Sequence, residues 1–462
     1  MQSVLPRFLM RVLSVLCEEQ PDLNQDCLSH FDCLEIRHDS EKTLDFSLIR
    51  SQFNLPLIYT HHFADKPNVF NYLSAFNHGF DWIDCDFRFF VAHQNQLSFI
   101  SNDRLILSWH LPSLESAWNL LDEIAGYSRI FAHSIIKLAF PSDDSALVCQ
   151  FLRQWNKNLS SVKRVLSVMG KGGEFLRICA PILKQKWSYF CLKNPTAPGQ
   201  VCLEKLRDEY YPRSFGNQSK MFAVCGDPVS HSQSPKVHNQ WFLEKNLPHC
   251  MVRMPTLYPQ ILLEHAPDVL AGLACTMPLK SEMSKILGLD DPINTVLLSD
   301  TGWQGFNTDV MAISGLLQKK ISDWSDKIKQ IVIVGAGGLA QSCIREFLKL
   351  GLPMTVINRT ESKAKELAKR YGIQYRSYGT EIDLLDTLVI QASACAMKDP
   401  LEIPFPSDCV KQSTIIVESV YANPDTPLLK AARSKNCVTI AGLEMFYEQA
   451  RIQNHLFTKE LS

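Results

Sequence analysis

The chain has 462 residues, with 47 Lys+Arg against 48 Asp+Glu and a formal net charge of −1. That balance lacks the basic footprint that contact with a phosphate backbone requires, so nucleic acid is not an expected partner. Hydrophobic residues make up 46% and charged residues 21%, a globular composition. At roughly 100–200 residues per domain the length corresponds to about three domains.

Fifteen cysteines are scattered without a C-x-x-C pair or a tight Cys/His cluster. They read as reduced thiols rather than as a disulfide framework or a metal site. In the opening "MQSVLPRFLMRVLSVLCEEQ", Arg7 and Arg11 interrupt the apolar run and no small-residue cleavage site follows, which argues against a signal peptide. Leu5, Phe8, Leu9, Val12, Leu13 and Leu16 repeat at helical spacing, so residues 4–17 are predicted to form an amphipathic helix. No apolar stretch approaches the roughly eighteen residues of a membrane span. A cytoplasmic protein without a membrane partner is expected.

From residue 31 to about 200, the segments "CLEIRHD", "LPLIYT", "FDWIDCDF", "RLILSWH", "SIIKLAF", "RVLSVM" and "WSYFCL" alternate with longer mixed stretches. Strand alternating with helix argues for parallel βα units, and seven or eight in series suggest a small (β/α)8 barrel, a TIM-like fold. Glu35, Arg37, Asp86, His110 and Lys137 stand at or near the ends of these runs, where a barrel gathers its active site. Lys137 lies inside an apolar run. It is either a lysine at an exposed strand edge or a desolvated amine of depressed pKa, able to form a Schiff base with a ketone. His110 is either a satisfied buried histidine or a proton shuttle for that amine.

The ordered set "EIRHD", "LSWH", "IIKLA", "MGKGGEFLR" and "TAPGQ" resembles the type I 3-dehydroquinate dehydratases over about residues 30–205. The resemblance implies an imine between Lys137 and the C3 ketone of 3-dehydroquinate, with His110 as the acid/base group. It implies that Glu35, Arg37, Arg177, Thr196 and Gln200 hold the substrate, the guanidinium forks suiting its carboxylate. Where the family carries a T-x-R arginine this chain has "THH", which places His62 there. The acidic turn that usually follows is replaced by "FADKPN", and a family glutamate is Asp86.

Residues 329–370 read strand, glycine turn, helix, strand. Gly335, Gly337 and Gly338 in "GAGGLA" allow a backbone to approach a pyrophosphate at a helix N-terminus. The second strand ends in Asn358, Arg359 and Thr360. Arginine and hydroxyls in place of an acidic residue suit a 2′-phosphate, so the expected cofactor is NADP(H). Between 221 and 310 lie "LACTMPLK" with Thr276 and Lys280, "DPINT" with Asn294, and "GFNTD" with Asn307 and Asp309. A lysine paired with an aspartate can bind and protonate a ketone oxygen during hydride transfer.

"CGDPVSHSQSPKVHN" (225–239) opens this half. A metal site there lacks further ligands, and His231 and His238 read as structural. A hydroxyl clamp remains: Ser232 and Ser234, two apart in an extended loop, face one way. With "TMPLK", "INT", "GFNTD", "GAGGLA", "NRT", "VYANPDTPLL" and "GLEMFYEQA" in the same order, residues 221–460 resemble the shikimate dehydrogenases. The resemblance implies Lys280 and Asp309 as the catalytic pair. It implies shikimate contacts from Ser232, Ser234, Thr276, Asn294, Tyr421 and Gln449. NADP contacts would come from Gly335, Ala336, Gly337, Gly338, Leu339, Asn358, Arg359, Thr360 and Lys363, with Gly442 beside the nicotinamide.

The expected organisation is therefore α/β throughout. A barrel spans 1–212, a substrate-binding lobe 220–322, a Rossmann NADP lobe 323–440, and a C-terminal helix over 441–462 returns to the substrate lobe. The expected function is two consecutive steps: dehydration of 3-dehydroquinate to 3-dehydroshikimate, then reduction to shikimate. Rival readings are a decayed barrel beside a working shikimate or quinate dehydrogenase, and a nucleotide-sensing protein without turnover.

Overall fold

Residues Met10–Leu16 form a strand, β1, rather than part of the helix that their periodicity predicts. Val12 and Leu13, neighbours in sequence, are both fully buried, so β1 is covered on both faces. An apolar strand of that kind has no alternation to betray it and imitates a helical stripe. What decides the matter is pairing: β1 runs parallel to Cys33–His38 on one side and to Trp187–Cys191 on the other. The computed structural model describes residues 10–16, 23, 25–39, 43–61, 68–211, 215–216, 218–397 and 399–459, so the first part of the predicted helix lies outside the described residues. The chain divides into two units, Met1–Ala271 and Gly272–Ser462.

In the first unit β2 (Cys33–His38), β3 (Leu57–His61), β4 (Trp82–Asp86), β5 (Leu105–His110), β6 (Ile135–Pro141), β7 (Lys163–Met169) and β8 (Trp187–Cys191) continue from β1. They hydrogen-bond in the order β7-β6-β5-β4-β3-β2-β1-β8, and β9 (Val201–Cys202) adds to β8. The β7–β8 seam is bridged by the Lys186 N–H donating to the Arg164 carbonyl at 2.7 Å. Beside it the Leu166 N–H donates to the Gln185 side chain at 3.0 Å, so an amide group stands in for a strand partner. This is the expected (β/α)8 barrel.

The barrel's interior is layered by the two-residue period of its strands. Val12, Cys33, Ile58, Ile106, Ile135, Val165, Trp187 and Tyr189 form one buried apolar cluster. Two residues further along their strands, toward the C-terminal ends, stand Ser14, Glu35, Thr60, Ser108, Lys137 and Ser167. A polar layer therefore rests on an apolar floor. The unit also contains β10 (Met221–Gly226), parallel to β11 (Cys250–Pro255).

The boundary between the units falls within β12 (Leu270–Cys275). In the second unit Gly272–Ala274 of β12 pairs antiparallel with β13 (Thr295–Ser299), and β13 with β14 (Gly302–Phe306). Six further strands follow: β15 (Gln330–Val334), β16 (Met354–Asn358), β17 (Gln374–Ser377), β18 (Thr387–Gln391), β19 (Ile415–Glu418) and β20 (Val438–Ile440). They make a parallel sheet of order β17-β16-β15-β18-β19-β20. Ile331 and Ile333 enter one apolar cluster and Val332 and Val334 another, so both faces are covered, as a parallel sheet requires. This order, with a switch point beside β15, is that of a Rossmann fold. No helix among the described residues is long and apolar enough to cross a membrane.

Candidate active sites

The polar layer of the barrel converges on Lys137. Its Nζ donates to Asp84 Oδ2 at 2.5 Å, lies 3.7 Å from Glu35 Oε1 and stands 4.6 Å from the centre of the Tyr189 ring. Glu35 is oriented in turn by hydroxyls, accepting from Ser14 at 2.5 Å and from Thr60 at 2.8 Å. Ser14 also meets the Thr196 hydroxyl at 2.8 Å. The Thr196 N–H and hydroxyl both donate to Gln200 Oε1, at 2.7 and 3.0 Å. The loop after β8 is thereby tied to the polar layer.

This geometry corrects the expected protonation state of Lys137. Burial is the largest influence and by itself lowers the amine's pKa. Asp84, Tyr189 and Glu35 together outweigh it, and the pKa is raised. The side chain is desolvated but not isolated, so the resting group is an ammonium.

His110 ends β5 two residues beyond Ser108, which lies opposite Lys137 in the ladder, so His110 shares the interior face one layer further out. Arg37 is held by Asp39 at 2.8 Å. Arg177 is buried; its Nη2 donates to the Pro198 carbonyl at 3.3 Å, while Nη1 is buried with no hydrogen-bond partner among the described residues. Burial pulls its pKa down to about 10. A guanidinium left half-satisfied inside a protein is costly unless an anion completes it. His62 lies outside the described residues. Asp86 does not join the cluster: its carboxylate caps the following helix, accepting from the Arg88 N–H at 2.9 Å.

Sequence reasoning missed Asp84, Ser14, Thr60 and Tyr189. In "WIDCD" the alternation offers two aspartates on one face, and only Asp84 sits level with Lys137.

In the first unit Ser232 and Ser234 carry adjacent hydroxyls, Ser232 donating to Ser234 at 3.2 Å. They do not share an extended loop, because Ser234 begins the helix Ser234–Glu244. The hydroxyls meet across a helix start instead. The Ser232 carbonyl accepts from Arg253 Nη2 at 2.8 Å, and Arg253 Nη1 donates to Tyr210 at 3.1 Å and to Glu209 at 2.5 Å. His238 is fully buried.

In the second unit Lys280, the first residue of the helix Lys280–Ile286, donates to Asp309 Oδ2 at 2.5 Å. Asn294 Nδ2 donates to Thr308 Oγ1 at 3.0 Å and to Gln449 Oε1 at 3.4 Å. Gln449 comes from the last helix, Gly442–Lys459, which also bonds β13 through Gln453 and Thr295 at 2.8 Å. The Tyr421 ring packs against Phe446 of that helix, the two tilted by 35° with centroids 4.9 Å apart. Gly442 is required there, since a Cβ would lie 2.2 Å from the Val420 carbonyl oxygen. Thr276 is half-buried at the end of β12.

The glycine turn follows β15. Gly335 has φ +121°, and a Cβ on it would lie 2.7 Å from the Ala392 carbonyl oxygen. A Cβ on Gly337 would meet open space, and one on Gly338 would approach the Lys280 side chain at 3.6 Å. The turn is thus open toward a ligand at the N-terminus of the helix Gly338–Leu348, next to the Lys280–Asp309 pair. Ala336 and Leu339 are half-buried in it, and Asn358 Nδ2 donates to the Thr360 carbonyl at 2.9 Å. Arg359 is exposed, bonded to Glu402 and placed over the Tyr378 ring. Lys363 is exposed. These residues fit a dinucleotide phosphate.

A Rossmann sheet with an open glycine turn beside a lysine–aspartate pair marks a dinucleotide-dependent oxidoreductase, here preceded by a barrel built around a buried lysine. Residues 14–215 match the family model of type I 3-dehydroquinase. Residues 224–294 match the shikimate dehydrogenase substrate binding domain, and 316–400 match shikimate / quinate 5-dehydrogenase. The chain is 30% identical to a shikimate dehydrogenase (NADP(+)) of Maridesulfovibrio salexigens over 52% of its own length and 91% of the relative's. It is 28% identical to the chloroplastic bifunctional 3-dehydroquinate dehydratase/shikimate dehydrogenase of Arabidopsis thaliana, over 77% of this chain and 63% of that protein. It is also 28% identical to the shikimate biosynthesis protein AroDE of Chlamydia muridarum, over 72% and 69% respectively. The chain belongs to the shikimate dehydrogenase family and carries a type I 3-dehydroquinase domain ahead of it. It spans less than two thirds of the Arabidopsis relative.

Proposed function

We propose that this chain dehydrates 3-dehydroquinate to 3-dehydroshikimate in its barrel and reduces 3-dehydroshikimate to shikimate with NADPH in its second half. The observation that carries the reading is the presence of two lysine–aspartate pairs, Lys137–Asp84 and Lys280–Asp309, each at 2.5 Å. One stands on a barrel floor and the other beside an open glycine turn. The names of the relatives support it.

In the barrel, Lys137 gives up a proton, attacks the C3 ketone and forms an imine with loss of water. His110 takes the C2 proton and returns one to the departing C1 hydroxyl, which leaves as a second water. Hydrolysis of the imine regenerates Lys137 and releases the enone. Arg177, with its unpartnered Nη1, Arg37 and Gln200 hold the substrate carboxylate and hydroxyls, together with Glu35 and Thr196. His62 takes the place of the family's arginine.

In the second half Lys280 donates a proton to the ketone oxygen as it becomes an alcohol, and Asp309 holds Lys280 in place. NADPH supplies the hydride. Ser232, Ser234, Thr276, Asn294, Tyr421 and Gln449 seat the substrate. Gly335 to Leu339, Asn358, Arg359, Thr360 and Lys363 hold the cofactor, with Gly442 beside its nicotinamide. We read the domains as 1–212, 220–322, 323–440 and 441–462. The free thiols of the described cysteines accord with a cytoplasmic setting.

Supplying the purified chain with 3-dehydroquinate and NADPH tests both halves at once. Absorbance at the nicotinamide band falls without added dehydratase if both work. Oxidation with 3-dehydroshikimate but not with 3-dehydroquinate, together with no borohydride-trapped adduct on Lys137, would overturn the dehydratase reading.

A further inference from the structure

The first unit holds a cleft of about 570 Å³ unrelated to either set of site residues. It lies at the N-terminal end of β7, by the end of the helix Ser145–Asn158 and the Ile182–Lys184 segment ahead of β8. The polar layer around Lys137 faces the C-terminal ends of the same strands, so the cleft is at the opposite end of the barrel. Its other wall is His265–Val269, the segment that leads into β12.

The cleft is strongly cationic. Arg153, Lys157, Arg164 and Lys184 line it with His265, and Asp268 is the one acidic residue in its wall. None of the four cations forms an ion pair among the described residues. The negative end of the helix Ser145–Asn158 accounts for Lys157, and Arg153 donates to the Glu264 carbonyl at 2.9 Å. Neither explanation reaches Arg164.

Arg164 is 6% exposed. Its Nε donates to Asn156 Oδ1 at 3.0 Å, and its Nη1 donates to the Leu159 and Val162 carbonyls at 2.7 and 3.3 Å. All three acceptors are neutral. Among the described residues Nη2 makes no hydrogen bond and no carboxylate forms an ion pair with the guanidinium. A buried guanidinium held in place by neutral groups, with one nitrogen unused and further cations around it, is arranged for an anion that arrives from outside.

We propose that this cleft binds a small polyanionic metabolite carrying at least two phosphate or carboxylate groups. Arg164 is the buried anchor, and Arg153, Lys157 and Lys184 are the outer contacts. Its volume falls within the range of small-molecule sites, large enough for a nucleotide-sized ligand. One anionic group meets Arg164 while a second is shared by the exposed cations at the rim.

The test uses the full chain with saturating NADP, which occupies the glycine turn, at constant ionic strength. Inorganic pyrophosphate and citrate are titrated calorimetrically as phosphate and carboxylate probes. At least one binds in the millimolar range or tighter, and which of them does so identifies the anionic group. Lys157→Glu and Arg153→Glu, both at exposed positions, each weaken that binding about tenfold, as the loss of one charge-assisted hydrogen bond requires. Both turnover rates stay unchanged, which shows that the variants fold. Absence of binding by either probe, or binding that neither substitution weakens, overturns the proposal.

Discussion

Asp84→Asn tests the corrected electrostatics of Lys137 without removing the lysine. The wild-type ammonium lies 2.5 Å from Asp84 and 3.7 Å from Glu35, with both carboxylates buried. A neighbouring opposite charge at such range moves a pKa by about 1–3 units, equivalent to about 1.4–4 kcal/mol favouring the charged form. Asparagine keeps an oxygen to accept from the amine and removes the charge. The Lys137 pKa therefore falls by about 1–3 units, while Glu35 keeps it from falling as far as burial alone would drive it. The assay is carbamoylation by cyanate, which consumes only neutral amine, with Lys137 followed by peptide mass spectrometry across a pH series. The midpoint moves to lower pH in Asp84→Asn. Glu35→Gln moves it less, because Glu35 is more distant and also accepts from Ser14 and Thr60. A midpoint that stays put or rises in Asp84→Asn refutes the claim that Asp84 holds Lys137 protonated.

Three further outcomes follow from the same reasoning. Glu402 engages Arg359, so Glu402→Gln frees the guanidinium and tightens NADPH severalfold while leaving NADH unaffected; a parallel change for both cofactors counts against a 2′-phosphate role. Gly442→Ala forces a Cβ to within 2.2 Å of the Val420 carbonyl oxygen, an overpacking cost of about 1–3 kcal/mol that calorimetry reads as a lower Tm. An unchanged melting curve would show that the backbone there yields freely. Glu174 is held below the usual carboxyl range: burial opposes this, but Lys205, Tyr210 and Arg253 outweigh it. A depressed folded pKa adds stability above the unfolded value near about 4.3 and loses it as pH falls through the folded one. Glu174→Gln therefore flattens the acid limb of Tm against pH, and an acid limb as steep as the wild type's contradicts the assignment.

The strands β2 to β8 were legible because each apolar run is short and bounded by polar segments. Lys137 was legible because a lysine inside such a run is out of place. β1 was not: Val12 and Leu13 are buried on opposite faces, and only its hydrogen bonds to β2 and β8 separate it from a helix. The charge on Lys137 escaped the sequence for a related reason. The carboxylates that set it stand on β2 and β4, 102 and 53 positions away, and which of Asp84 and Asp86 faces inward at the right height depends on barrel register. Glu209 and Tyr210, near the expected end of the barrel at 212, bond Arg253 on β11, and only the fold reveals that these polar groups have partners. In the second half the glycine turn is readable from its place between an apolar strand and a helix, whereas the pairing of Lys280 with Asp309 comes from the resemblance to the shikimate dehydrogenases. The form of the clamp is not in the sequence, since an i, i+2 spacing suits a helix start as well as an extended loop.

Under the proposed function the two lysine–aspartate pairs are asked for opposite chemistry. Lys280 has to hand a proton to the ketone oxygen, and Asp309, 2.5 Å from its Nζ, orients the amine for that; side-chain exposures of 21% and 11% leave the pair within reach of water. Lys137 has to lose its proton before it can attack, yet two buried carboxylates and the Tyr189 ring oppose that loss. The contradiction disappears once the product of the attack is considered. A protonated imine carries the same unit of positive charge at nearly the same position as the ammonium it replaces. The carboxylates that make the resting amine a poor nucleophile therefore stabilise the iminium, which draws electrons from C2 when His110 removes its proton. Asp84, in direct hydrogen-bond contact with Nζ, is also the nearest base for the proton that has to leave. On this reading the barrel's electrostatics suit the iminium as well as the resting ammonium, and what they oppose is the neutral amine between the two.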